Sequence, residues 1–147
     1  MRLFLDTNLL IDYYAARPPH REMFTQLLAM QVFGDAELWA SAKSFADVFS
    51  VCKKHIPGDF LQQAFAKSGE FLNICSIDQP DIMEAVRRGW PDFEDCLVAI
   101  AAEKVKADYL VTRDSKGFTD AKVAVIGPQD LMAELEKRGY AYEGITF

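Results

Sequence analysis

Four aspartates, Asp6, Asp47, Asp95 and Asp114, stand where a folded chain has difficulty leaving them charged and alone. Asp6 directly follows the apolar Leu3-Phe4-Leu5, and Asp114 lies two residues past Tyr109-Leu110-Val111-Thr112. Both stretches read as strands, so each acid sits just beyond a strand's carboxyl end, where ligand sites of parallel sheets form. Asp47 and Asp95 lie near the starts of two helical stretches that continue as largely apolar sequence. Neither is read as having a basic partner one turn away, and an uncompensated carboxylate in such surroundings is expensive to bury. Carboxylates gathered about 6 Å apart repel by about 3 kcal/mol per pair at an effective dielectric of about 20. Protons or a hard divalent cation must therefore fill the site. An all-oxygen ligand set favours Mg²⁺ or Mn²⁺ over zinc, and the sequence offers no His/Cys cluster for a softer metal.

The elements that must position these acids alternate along the chain. Strands are predicted at Arg2–Leu5, Glu37–Ala40, Asn73–Ile77, Tyr109–Thr112 and Val123–Ile126. Helical spacing is predicted over Thr7–Ala15, His20–Gln31, from a Ser41 cap to about Lys54, over Asp59–Phe71, from an Asp78 cap to Arg88, from about Asp92 to Lys106, and from near Gln129. Strands separated by helices need crossover connections, so the expected fold is α/β, a central, mostly parallel sheet with helices on both faces. At 147 residues, without repeats or a linker-like stretch, residues 1–147 read as one domain.

Sixteen basic against twenty-two acidic side chains give a net charge of −6, the wrong sign for binding nucleic acid by bulk attraction. A polyanion partner then requires that acids cluster round a cation and that basic residues line a groove locally. The three cysteines, Cys52, Cys75 and Cys96, are scattered among apolar residues and read as reduced core thiols. With no signal-like apolar segment and no run approaching a membrane span, the expected location is the cytoplasm, with no membrane partner.

Phe4-Leu5-Asp6-Thr7-Asn8-Leu9-Leu10-Ile11-Asp12, then Asp92-Phe93-Glu94-Asp95 ahead of an Ala-rich helix, then Thr112-Arg113-Asp114-Ser115-Lys116-Gly117-Phe118 together resemble the PIN domain, in order and over nearly the whole chain. PIN domains are metal-dependent ribonucleases that include the toxins of VapBC toxin–antitoxin pairs. The resemblance implies a PIN-like α/β/α sandwich, Mg²⁺- or Mn²⁺-dependent hydrolysis of RNA, Asp6, Asp95 and Asp114 as metal ligands, an antitoxin partner and a homodimer. One departure is visible: the family usually places Glu in the helix after the second strand, where this chain has Asp47, shorter by one methylene.

Secondary candidates surround these four. Asp92 reads as an N-cap or an outer ligand, and Asp12 as exposed or as support behind the acids. Thr7 or Asn8 is expected to bond a ligand carboxylate or a phosphate at a helix start, with capping the equal alternative for Asn8. Arg113 and Lys116 flank Asp114 and are candidates for phosphate contact, whereas Lys53 and Lys54 read as a solvated face. Trp39, Trp90, Phe93 and Phe118 could stack on bases, though packing is the commoner fate of aromatics. His20 and His55 are assigned no catalytic role. A haloacid-dehalogenase-like phosphatase would need a second Asp at position 8, which is Asn, and a receiver domain would need paired acids before its first helix; both are set aside. A PIN-like scaffold without turnover remains the alternative from another functional class.

Overall fold

Along the first strand Leu3 and Leu5 turn to one side and Phe4 to the other, as the two-residue period of an extended chain requires, and all three are fully buried. A strand apolar on both sides must be covered on both sides. The structure, a computed structural model, describes residues 1–18, 20–142, 144 and 145. In it this strand, β1 (Arg2–Leu5), is the centre of a five-stranded sheet with β2 (Glu37–Ser41), β3 (Leu72–Cys75), β4 (Tyr109–Val111) and β5 (Val125–Ile126), in the order β3-β2-β1-β4-β5. Every pairing is parallel.

Among the described residues seven α-helices cover it: α1 (Thr7–Tyr14), α2 (His20–Val32), α3 (Ala42–Cys52), α4 (Gly58–Ser68), α5 (Gln79–Arg88), α6 (Phe93–Lys104) and α7 (Pro128–Lys137). Apolar side chains of α1, α2, α3, α4 and α7 pack with Leu3, Leu5, Leu38 and Val111 on one face. On the other face α6 packs against Phe4 and Leu110, with α5 outside it. Helix α6 is buried from Cys96 to Ala102, and its alanines at 99, 101 and 102 let its backbone approach the sheet closely.

The local stops and starts follow their residues. Ser41 caps α3 by accepting the Lys43 N–H at 3.2 Å, and Asp78 and Asp81 form a reciprocal capping box at the start of α5. Gly89 ends α5 in the left-handed region at φ 63°, where a side chain would be strained. Most element ends shift by one to three residues from expectation, and three departures have a visible cause or consequence. The third strand spans Leu72–Cys75 rather than 73–77, because Ile77 packs beside α5 and α6 and the chain is already turning toward the Asp78 cap. The fifth strand is only the two residues that pair with Leu110 and Val111. A 3₁₀ helix at Ser115–Phe118, not anticipated, anchors Phe118 in the face beneath α6.

The three cysteines are free and buried, as expected of core thiols. Among the described residues no helix is long and apolar enough to cross a membrane.

The topology makes a crevice. From β1 the chain winds outward through β2 and β3, then returns to place β4 on the other side of β1. Where the winding direction reverses, helices leave toward opposite faces and the strand ends between them stay open. That opening lies beyond Leu5 and Val111, immediately before Asp6 and close to Asp114.

Asp12 shows how a buried charge is held next to this crevice. Neither exposed nor facing the other acids, it is 1% exposed on α1, and the Arg113 Nη2 donates to its Oδ1 at 3.2 Å while Nε lies 2.7 Å from Oδ2. Arg17 reaches the same carboxylate at 3.8 Å. The pair ties α1 to the segment leaving β4. Replacing Arg113 with Met strands a buried carboxylate, so Arg113→Met is expected to destabilise the fold by about 2–3 kcal/mol, below the full effect of breaking a buried pair because Arg17 remains and Arg113 is partly solvated. Urea denaturation against Lys116→Met checks this: equal midpoints for the two variants would refute the clamp.

Candidate metal centre

Asp6 lies between the end of β1 and the start of α1, and its carboxylate is fixed from two directions. The Thr7 N–H donates to Oδ1 at 2.7 Å, which makes Asp6 the N-cap of α1. The Thr112 hydroxyl donates to Oδ2 at 2.8 Å, and that hydroxyl in turn accepts the Asp114 N–H at 3.0 Å. Thr112 is thus the joint that sets Asp114 relative to Asp6 across β4. At 4% exposure the Asp6 carboxyl is pushed above its usual pKa, by burial first and by Asp114 in addition, against the lowering bonds from Thr112 and Thr7.

Asp95 enters from the opposite face, in the first turn of α6. Its own N–H donates to Asp92 Oδ1 at 3.0 Å, so Asp92 is the N-cap that starts this helix. The Asp95 carboxyl is pushed up to about 6, by burial first and then by Asp92, Asp6, Asp114 and Glu94. Their acting on one group places the acids from β1, α6 and the segment after β4 in mutual electrostatic reach.

Gly117 shows how tightly the space between them is shaped. A Cβ built there would lie 2.5 Å from Asp95 Oδ2 and 3.7 Å from Asp114 Oδ2. Only the absence of a side chain at this place in the 3₁₀ helix leaves the Asp95 carboxylate its position. A close approach of this kind leaves no local signal in the sequence around Gly117.

The cleft containing these groups has a volume of about 360 Å³ and is lined by Asp6, Asp47, Asp92, Glu94, Asp95 and Asp114, with Thr7, Asn8, Ser44 and Lys43 among the rest. All four principal acids therefore share one hollow. Among the described residues Asp6, Asp92, Asp95 and Asp114 make no ion pair with Lys, Arg or His. Asp47 differs from expectation. Lys43, four residues earlier on α3, donates to its Oδ2 at 2.8 Å, so the reading that it lacked a basic partner is corrected. The same ammonium donates to Glu94 Oε1 at 3.0 Å across the cleft. Those two carboxylates outweigh the effect of burial and hold the Lys43 pKa above its ordinary value.

The secondary candidates divide. Thr7 shares a 2.7 Å hydrogen bond with Ser44, which ties α1 to α3, and Asn8 lies exposed on the cleft rather than serving as the cap, a place taken by Asp6. Arg113 is engaged with Asp12 and lines a second hollow of about 550 Å³ between α2 and α7, away from the acids. Lys116 is exposed outside the cleft. A groove lined by basic residues is absent here: Lys43 is the one basic side chain lining the acid cleft among the described residues. Trp39 packs on the core, and Trp90 meets the buried Phe118 edge to face, leaving Phe93 as the exposed member of the four aromatics.

Carboxylate oxygens in a water-accessible hollow fit a hard divalent cation by donor type. The space that Gly117 keeps open beside Asp95 and Asp114 fits it by room. Among the described residues no group of three or more His, Cys, Asp or Glu side chains is placed to hold a metal ion as the side chains stand, so the fit rests on donor chemistry and space.

Comparison with known proteins follows the same lines. No curated protein sequence matches the chain. Among solved structures it is similar to a toxin–antitoxin complex from Klebsiella pneumoniae, at 25% identity and TM-score 0.60, covering 86% of this chain and 97% of that one. It is similar in fold to VapBC-1 from nontypeable Haemophilus influenzae, at 18% identity and TM-score 0.66 over 88% and 99% of the two chains. VapBC2 from Rickettsia felis, bound to a promoter DNA fragment, matches at 18% identity and TM-score 0.64 over 86% and 98%. The family model described as PIN domain matches residues 2–116, which include Asp6, Asp47, Asp95 and Asp114. With its all-parallel sheet between two helical layers, the chain belongs to the PIN domain family.

Proposed function

We propose that this chain is a divalent-metal-dependent ribonuclease that acts as the toxin of a toxin–antitoxin pair. The observation that carries the reading is the convergence of Asp6, Asp95 and Asp114, from three separated elements, on one hollow without a basic partner. Family membership supports phosphodiester chemistry, and the toxin–antitoxin structures with the same fold support an antitoxin partner. A homodimer and a cytoplasmic location belong to the same proposal.

Asp6, Asp95 and Asp114 would hold Mg²⁺ or Mn²⁺, with Asp47 and Asp92 at the margins. When bound, such an ion supplies Lewis-acid charge for attack of water on a phosphodiester. The chain's own residues supply position. Thr112 and the Thr7 N–H hold the Asp6 carboxylate in one orientation, and Thr112 carries that orientation to Asp114. The start of α1 lies at the cleft with its Thr7, Leu9 and Leu10 N–H groups already bonded to Asp6. Asn8, exposed beside them, is available to donate to a phosphate oxygen. Phe93, exposed next to Glu94 and Asp95, is available to an unpaired base.

A second reading, a PIN fold that binds without turnover, is favoured by the Lys43 ammonium on Asp47. Cleavage separates the two. Purified protein should cleave single-stranded or structured RNA with Mg²⁺ or Mn²⁺, and both EDTA and Asp6→Asn should reduce the rate at least about 100-fold. Equal cleavage in EDTA would refute the metal mechanism; Mn²⁺ binding without cleavage of any RNA would favour the scaffold.

Gly117→Ala supplies a sharper check on the site. Its Cβ must displace the Asp95 carboxylate, a flexible group, so melting in EDTA should stay close to wild type. The rise in melting temperature with added Mn²⁺ should shrink, since stabilisation by a ligand follows its affinity for the folded state. An undiminished rise would show that Asp95 is not a ligand.

A further inference from the structure

The cleft is electrostatically lopsided. At its strand end Asp6, Asp95 and Asp114 have no basic partner among the described residues, whereas at its α3 end Asp47 and Glu94 share the Lys43 ammonium, at 2.8 and 3.0 Å. The position of that ammonium is built in. Ser41 caps α3 through the Lys43 N–H, and Ser44, one residue on, is bonded to Thr7 of α1, so the turn that carries Lys43 is fixed beside Asp6. On the far side, Glu94 sits in the first turn of α6 beside Asp95, with the helix start held by Asp92. Lys43 therefore bridges helices from the two layers of the fold, across the mouth of the cleft.

Resting on the metal-dependent reading above, we propose that the cleft takes one divalent cation, at the Asp6, Asp95 and Asp114 end, and that Lys43 is the resident cation of the Asp47 and Glu94 end in place of a second ion. The two carboxylates at that end already have a positive partner in hydrogen-bonding contact. A second dication there would have to displace the ammonium or lie against it, and like charges in contact are strongly unfavourable. The ammonium also has a use that a side chain serves well: two of its three N–H donors are taken, and with the side chain 33% exposed the third is available to a phosphate oxygen. In this arrangement Asp47, one methylene shorter than Glu, holds Lys43 rather than a metal.

Counting bound Mn²⁺ tests the proposal without reference to activity. The full chain is titrated with Mn²⁺ and free ion is read by electron paramagnetic resonance, for wild type, Lys43→Met, Lys43→Arg and Lys43→Met with Asp47→Asn. Wild type and Lys43→Arg should bind one equivalent. Lys43→Met, of similar length and without charge, should bind two, or bind the second at least about tenfold more tightly than wild type does, a difference of about 1.4 kcal/mol. The double variant should return to one. Matched melting curves in EDTA show that all four are folded. Two equally tight equivalents in wild type, or a single unchanged equivalent in Lys43→Met, would overturn the role of Lys43 and leave the metal reading standing. No Mn²⁺ bound by any of the four would overturn both.

Discussion

Mutual repulsion among carboxylates at the open end of a parallel sheet is the constraint around which this molecule is arranged. Asp6 is almost wholly buried and Asp95 half-buried; Asp114 raises the energy of ionising Asp6, and Asp92, Asp6 and Asp114 raise that of ionising Asp95. Part of that repulsion is offset by the backbone. Asp6 caps α1 and Asp95 lies in the first turn of α6, so two helix N-termini, each with a partial positive charge, face the same hollow from opposite layers. The Thr112 hydroxyl and the Thr7 N–H add directed bonds to Asp6. What these leave uncompensated is what, in the proposed reading, a hard cation would offset.

The sheet order makes the convergence possible. Because β4 returns to pair with β1, Asp6 and the residues after Val111 are neighbours across one ladder although more than a hundred positions separate them in sequence. The cations near the site are allotted different work. Arg113 neutralises Asp12 behind the acids and stiffens the base of the crevice, and Lys43 bridges the mouth. Among the described residues Lys43 is the one basic side chain lining the acid cleft, so under the proposed activity phosphate recognition would fall largely to the metal held there.

Much of this was legible in the residues. The strand-then-acid pattern at Leu5-Asp6 and near Thr112-Asp114 marks the carboxyl ends of strands, and the alternation of elements dictates crossovers, hence a parallel sheet. Ser41 and Asp78 announce helix starts by their type. Lys43 as the partner of Asp47 is also legible in the spacing, since four residues on a helix is one turn. What could not be read is set by tertiary approach. That Arg113 turns to Asp12 rather than to the cleft depends on where α1 lies against the segment after β4. That Gly117 must lack a side chain depends on α6 bringing Asp95 to it from the other layer. The contact between Lys43 and Glu94 likewise joins residues 51 positions apart.

The most direct test is a crystal soaked in Mn²⁺ and recorded for anomalous scattering. A single strong peak bonded to carboxylate oxygens of Asp6, Asp95 and Asp114, beside Gly117 and clear of the Lys43 ammonium, is the predicted result. A crystal with no peak among those three side chains, or with Mn²⁺ bound only elsewhere, would contradict the claim that their convergence makes a metal centre.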